Sequence, residues 1–414
     1  MRVTIVSCVF PPEPVVSSRT SLHVAQGLAG RGHQVTVVTA FPSKPAGRGY
    51  PGFARRLIAR EKNGNGFAVR RCFSTFSSRS RLLSRFLENF TFGLSSGMAV
   101  LLMRRPDVLY VNTWPIVAGG LVFLAAKLRR VPMVVSIQDV YPESLFAQGH
   151  LSETSILGKG LRWMDGVIAR GCRAVIVISE RFAAIYREQR RVAGARIHVV
   201  PNWADDLQPE TDAERLSRFR ERLEIPPRAR IFAYGGNVGT AAGVENLIQA
   251  VRLLPAGDRF HLLIAGEGSR LEHCRALAEE TACRDVTFHA PWRSDETALV
   301  LGLAEVLLLP TQGRQSYASV PSKLVSYWLA GRPVIAQACP GSSLADVLEK
   351  AGGGWLVAPG RPELLAAKIR EVLEMNAAEV RRRGEAGRHF ALRNLTRAAC
   401  LPRVLDVMEK AVSR

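Results

Sequence analysis

Short apolar runs, rich in β-branched residues, alternate with helical patterns along the whole chain. In the first half the strand candidates are VTIVSCV, QVTVVTA, FAVRRC, DVLYVN, PMVVSIQ, AVIVIS and IHVVPN. In the second half they are RIFAYGG, FHLLIAG, DVTFHA, EVLLLP, RPVIAQA and GGWLVA. Helical patterns lie between them, for example at 20–31, 244–254, 270–281 and 362–374. Strands that are apolar nearly throughout are covered on both faces, which means parallel sheets under helices. The chain has 414 residues, more than one hydrophobic core supports. Two successive βα arrays therefore predict an α/β protein of two Rossmann-like domains, 1–204 and 205–389. The boundary falls in the polar, proline-containing stretch 201–213. Ligands of such sheets gather at the carboxyl ends of the strands. The expected site is a cleft between the two domains.

Charge separates the halves. Residues 1–204 hold 28 Lys and Arg against 10 Asp and Glu; the remainder holds 28 against 26. An excess confined to one half points to a polyanionic partner there, membrane or nucleic acid, or to a solvated basic face. Basic and aromatic residues are not interleaved, and no nucleic-acid module is recognisable, which argues against nucleic acid. The seven cysteines are scattered without a CxxC pair. That excludes a zinc-ribbon or disulfide framework and fits a reducing cytosol. No signal-peptide pattern is read, because RVTIVSCVF is strand-like from the start. The longest apolar runs, near 97–103 and 115–126, are too short to span a bilayer. In RSRLLSRFLENFTFG, residues Leu82, Leu83, Phe86, Leu87, Phe90 and Leu94 share one helical stripe, with Arg81, Arg85 and Glu88 opposite. Such a helix lies in a membrane interface or packs on its own sheet; the charge excess favours the membrane.

Five loops follow strands and carry chemistry. In CVFPPEPVVSSRT, Ser17 or Ser18 is placed to cap a helix starting near Ser18. In VVSIQDVYPESLF, Gln138, Asp139 and Glu143 follow a buried strand. Carboxylates there orient or accept a substrate proton, or merely cap a helix. In YGGNVGTAAG, Gly235, Gly236, Asn237 and Gly239 can form a backbone nest for phosphate. The fourth, LLIAGEGSR, offers Glu267 and the cation Arg270. The fifth is SYASVPSKLVSYWLAGRPVIA. It places Lys323 in the first turn of a helix, where a cation is unfavourable unless an anion sits beside it.

These motifs in order, RGHQVTVVT, PNW, GGNVG…GVENLI, LLIAGEGSRLE, VTFHAPW, AEVLLLP and AGRPVIA, resemble the retaining glycosyltransferases of family 4. FPPE, QDVYPESL and SVPSK are most similar to the WbuB/WcaI-like branch that builds bacterial surface polysaccharides. The resemblance covers almost the whole chain. It implies the GT-B fold, two Rossmann-like domains facing each other across a cleft, with a C-terminal helix in 390–414 returning to the first domain. It also shows departures. Asn237 and Ala242 stand where the family has its diphosphate-binding Arg and Lys; Ala318 and Ser326 stand where it has two glutamates. Pro14-Val15-Val16-Ser17 replaces a Gly-Gly loop.

The family picture implies a metal-independent transfer of a sugar from a nucleotide-diphosphate donor to a polyprenyl-diphosphate-linked acceptor, with retention, by a front-face oxocarbenium-like route. It gives the second domain the donor, and the first domain the acceptor and an anionic membrane. The enzyme is then peripheral on the inner face of the plasma membrane. Asp139, with Glu143 nearby, orients or deprotonates the acceptor. Lys323, with Arg270 as second cation, stabilises the leaving diphosphate. Gly235, Gly236, Asn237, Gly239 and Glu267 line the donor, and Ser319, Ser322 and Ser326 offer hydroxyls to it. The alternatives are a soluble acceptor, a sugar-nucleotide 2-epimerase, an inactive member, or a basic nucleic-acid-binding protein.

Overall fold

The computed structural model describes residues 1–44, 47–63, 66–76, 82–113, 116–147, 151–205, 208–240, 242–255, 259–281, 283–311 and 321–412. The chain forms two compact units: Met1–Asn202 with Ala398–Arg414, and Trp203–Arg397.

The first unit is an eight-stranded sheet in the order β3-β4-β2-β1-β5-β6-β7-β8. Its strands are β1 (Arg2–Ser7), β2 (Gln34–Ala40), β3 (Ile58–Asn63), β4 (Phe67–Cys72), β5 (Val108–Thr113), β6 (Met133–Ile137), β7 (Ala174–Val177) and β8 (Ile197–Val199). All pair in parallel except β3 with β4, an antiparallel edge pair. Parallel neighbours need crossovers. These carry α1 (Val16–Gly30), α2 (Leu82–Leu102), α3 (Ile116–Leu128), α4 (Glu143–Ala147), α5 (Ile156–Gly171) and α6 (Glu180–Glu188). Every residue of β6 and β7 is buried, as expected for central strands covered on both faces. Ser155 and Ser179 cap α5 and α6 by accepting from Gly158 and Phe182 amides.

The second unit is a six-stranded parallel sheet in the order β11-β10-β9-β12-β13-β14. Its strands are β9 (Arg230–Gly235), β10 (Phe260–Ala265), β11 (Val286–His289), β12 (Val306–Leu309), β13 (Val334–Gln337) and β14 (Gly354–Val357). Its helices are α7 (Ala213–Arg222), α8 (Glu245–Val251), α9 (Leu271–Glu280), α10 (Thr297–Leu303), α11 (Ser322–Leu329), α12 (Ser343–Ala351), α13 (Pro362–Glu374) and α14 (Ala377–Asn394). One apolar layer joins α11 and α14 to the sheet around the fully buried Trp328; a second joins α8, α9 and α13 to its other face. Helix α14 runs through residue 389 to Asn394, with Phe390 edge-on to Trp328. The final helix, α15 (Arg397–Val412), lies almost wholly in the first unit, where Arg31 pairs with its Asp406 and Glu409.

Three local expectations change. Helix α1 begins at Val16, with Val15 as a cap that offers no side chain. Ser17 and Ser18 are therefore inside the helix rather than capping it. Strand β3 reads IAREKN, too polar to signal a strand, and it survives as a charged edge. In α2 the residues turned inward are Phe92, Ser96, Ala99 and Val100, whereas Leu83, Phe86, Leu87, Phe90 and Leu94 face outward. Arg81 lies outside the described residues.

Candidate active site

In the second sheet the strand order reverses between β9 and β12, and a parallel sheet opens its ligand crevice at such a switch point. Strand β9 ends in Tyr234-Gly235, and the chain turns through Gly236, Asn237 and Val238. Backbone bonds lace this turn to the end of β10: Gly236 donates to the Ala265 carbonyl (2.9 Å), and Val238 to that of Glu267 (2.8 Å). The Arg270 amide donates back to Val238 (3.0 Å). Gly236 has φ +147°, and a Cβ there would fall 1.9 Å from Lys323 Cε. Gly266 has φ +149°, and its Cβ would fall 1.9 Å from the Gly236 carbonyl oxygen. Glycine is required at both because backbone and lysine stem occupy the space a side chain needs.

Helix α11, the element after β12, brings Lys323 onto this turn. Lys323 Nζ donates to the Tyr234 hydroxyl (2.7 Å) and stands 4.8 Å from its ring centroid. The Tyr234 hydroxyl in turn donates to the Asn237 carbonyl (2.7 Å). One helical turn later, Tyr327 Oη accepts from the Gly235 amide (2.9 Å) and donates to the Gly235 carbonyl (3.0 Å). Among the described residues no carboxylate pairs with Lys323. Burial lowers its pKa from the usual 10.5 to about 8, so it remains largely cationic near neutral pH. Burial raises the phenols of Tyr234 and Tyr327, which therefore stay protonated and keep donating. The Gly235, Gly236 and Val238 amides already donate to Tyr327, Ala265 and Glu267, so the group this turn offers an anion is the Lys323 ammonium.

The other donor-side candidates divide. Asn237 and Glu267 are exposed at the rim, and Gly239 is buried behind it. Arg270 is engaged: its Nε donates to Glu245 in the first turn of α8 (2.7 Å). Ser322 opens α11 behind Pro321, which supplies no side-chain cap, and Ser326 lies one turn on. Ser319 and Ala318 fall outside the described residues. Sequence reasoning missed Tyr234, Tyr327, Trp292 and Gln337. Trp292 lays its ring against Gly235, where a Cβ would meet it at 3.1 Å, and its buried indole N–H has no partner among the described residues. Gln337, at the carboxyl end of β13, is 1% exposed, and neither amide atom has a partner among the described residues. The spacing of Lys323 and Tyr327, four apart on one helix face, was the available signal.

In the first unit, Asp139 follows β6. It lines a small pocket, partly open to solvent, with Ile116, Ile137, Tyr141, Asp165 and Tyr186. Burial raises its pKa to about 6; the Ser144 hydroxyl and Val140 amide lower it, and Glu143 raises it. A carboxyl so placed exchanges a proton near neutral pH. Glu143 is differently placed. Arg190, with a side chain 1% exposed, bridges it (2.6 Å) to Asp165 (2.7 Å), and Arg162 adds a third contact at 3.2 Å. Glu143 therefore anchors the loop behind Asp139. Gln138 donates to Ser136 (3.0 Å). Near the ends of β1 and β5, Ser21 donates to Ser7 (3.0 Å) and accepts from Asn112 (2.9 Å), while the buried Ser18 hydroxyl has no partner among the described residues. Glu13 of the FPPE motif accepts from the Phe10, Ser43 and Lys44 amides and ties two loops together. Among the described residues no cluster of three or more His, Cys, Asp or Glu could hold a metal.

Residues 17–203 match the model of the glycosyl transferase 4-like domain, and residues 217–390 that of glycosyl transferases group 1. A Pseudomonas aeruginosa protein named as glycosyltransferase WbjE is 26% identical over 73% of this chain and 76% of its own. An Escherichia coli protein named as colanic acid biosynthesis glycosyl transferase WcaI is 25% identical over 90% of this chain and 92% of its own. Among solved structures, Anabaena HepE in complex with UDP superposes with TM-score 0.72 over 99% of this chain and 100% of its own, at 14% identity. With both matched domains in order on two parallel-sheet units, the chain is a GT-B glycosyltransferase and belongs to family 4, in its WcaI-like branch.

Proposed function

We propose that this enzyme moves a sugar, with retention, from a nucleoside-diphosphate sugar to a polyprenyl-diphosphate-linked acceptor in bacterial surface polysaccharide assembly. The pathway class is suggested by the name of WcaI, and the UDP in HepE makes a UDP-sugar the first donor to try. The observation that carries the reading is Lys323, held without a carboxylate partner against the Gly235–Gly236 turn. In the transfer, the bond from sugar C1 to the diphosphate oxygen breaks and the diphosphate leaves with the electron pair. Lys323 meets that charge. The acceptor oxygen bonds to C1 on the same face, and its proton passes to Asp139. Glu143 and Arg190 hold the loop that carries Asp139. The second unit takes the donor and the first takes the acceptor; neither step calls on a metal. The lipid acceptor places the enzyme at the inner face of the plasma membrane, drawn there by the basic residues of the first unit.

The test is transfer by purified protein with a panel of nucleotide sugars and a polyprenyl-diphosphate sugar acceptor. Lys323→Ala is expected to lower kcat by about 100- to 1,000-fold, the usual loss on removing one group that stabilises developing charge. A wild type that transfers sugar and a Lys323→Ala variant of equal kcat would falsify the account of the leaving group.

A further inference from the structure

The pocket beside Asp139 has a wall that is aliphatic almost throughout. Val135 and Ile137 of β6, Ile116 and Gly119 of α3, and Ile168 and Ala169 of α5 line it, and all six are buried. Two other buried lining groups are polar, and both are already engaged. The Tyr186 hydroxyl donates to one oxygen of Asp165 (3.0 Å), whose other oxygen accepts from Arg190 Nε (2.7 Å). Asp139 and Tyr141 are the half-buried members of the wall, so the opening lies at their end, past the tip of β6. Inside, the centre of a water-sized sphere has about 30 Å³ in which to stand. One water needs about 10–15 Å³ on that measure, so the space is that of a group of about two heavy atoms. Aliphatic walls give a water few partners and favour an apolar occupant.

We infer that this pocket selects the acceptor sugar by taking the methyl end of a short substituent, acetamido or 6-deoxy, carried near the hydroxyl that attacks. The inference rests on the proposed function, in which Asp139 takes the acceptor proton. A hydroxyl within hydrogen-bond reach of Asp139 holds its sugar ring at the opening. A substituent close to that hydroxyl then has the aliphatic interior in front of it. A second hydroxyl in that place would leave water and find Asp165 and Tyr186 already bonded. A methyl group leaves water favourably and fills the space. Gly119 and Ala169 are the smallest residues of the wall, and they leave room for a methyl end where larger residues would close it. One such group, present or missing in an apolar pocket, is worth about 10- to 200-fold in kcat/KM.

The test compares kcat/KM for short-chain polyprenyl-diphosphate acceptors that differ in one substituent: N-acetylglucosamine, glucose and 6-deoxyglucose, with the galacto-configured set beside them. Wild type is expected to prefer one methyl-bearing member of a set over its hydroxyl counterpart by about tenfold or more. Which member it prefers identifies the substituent as acetamido or 6-deoxy. Ala169→Val narrows the pocket and should bring that ratio towards one. Ile168→Ala deepens it and should admit a substituent one carbon longer that wild type refuses. Each result is a ratio within one preparation, so a partly folded variant does not distort it. Wild type that turns over all members of each set equally overturns the pocket and leaves the transferase reading standing. A preference left unchanged by both variants also overturns it, because the selection then lies elsewhere. If no acceptor is turned over, saturation-transfer NMR with the free sugars decides the pocket alone. Saturation of the acetamido or 6-deoxy methyl protons in wild type, lost in Ala169→Val, upholds the pocket while the transferase reading falls. Absence of that saturation overturns the pocket as well.

Discussion

A half-buried lysine without a carboxylate neighbour loses hydration and gains no opposite charge. Lys323 is kept in that position by Tyr234, which accepts from the ammonium and donates to the Asn237 carbonyl. The phenol thus fixes the lysine and the glycine turn together. Tyr234→Phe keeps the ring and removes both bonds. The charge remains but its alignment loosens, and misplacement of a reacting group by a fraction of an ångström costs rate rather than binding. A fall in kcat of about tenfold, with little change in the donor KM, is expected from steady-state kinetics. An unchanged kcat shows that Tyr234 does not position Lys323. This pairing was hidden in the sequence. Tyr234 reads as the last residue of a buried strand, and only the fold brings its hydroxyl over a turn that meets α11.

At the level of elements, the strands were legible because β-branched runs such as MVVSI have few other uses, and the glycine turns because their spacing marks strand-to-helix crossings. What escaped depended on partners distant in the chain. Glu143 reads as a second catalytic carboxylate until Arg190, 47 residues away, closes on it from beyond α6. The outward stripe of α2 is visible as a stripe, but its direction is set by Gly93 packing against α3. The Arg190 cluster carries a prediction. Arg190→Met leaves Asp165 and Glu143 without their shared cation, and stability should fall by about 3–5 kcal/mol in denaturant unfolding at neutral pH. Asp165 already has its pKa raised to about 6, chiefly by burial. Its charged form therefore weighs against the fold above that pH, and the strain is relieved as pH falls through it. Removing Arg190 raises the folded pKa further, so the deficit should shrink as the solution is acidified. A deficit that is constant with pH assigns the loss to packing instead.

Across the whole molecule, the ordered motifs disclosed the family, while the departures inside them did not disclose which residues hold the donor. Asn237 and Ala242 occupy the positions of two family cations, and the other candidate cation among the described residues, Arg270, is bound to Glu245. In the proposed mechanism each unit contributes one titrating group to turnover. Asp139 must be unprotonated to take the acceptor proton, and burial raises it to about 6, so rate falls as pH drops through that value. Lys323 must be protonated to meet the diphosphate, and burial lowers it to about 8, so rate falls again as pH rises through that value. The pH profile of kcat/KM should be a bell with limbs near those two values, and its limbs should respond separately. Lys323→Arg keeps a cation that does not titrate in this range, and should extend activity to more alkaline pH even if its peak is lower. Asp139→Asn should abolish the acid limb along with most of the rate. An alkaline limb that stays in place in Lys323→Arg assigns it to another group, and separates the leaving-group role of Lys323 from the pH dependence of the enzyme.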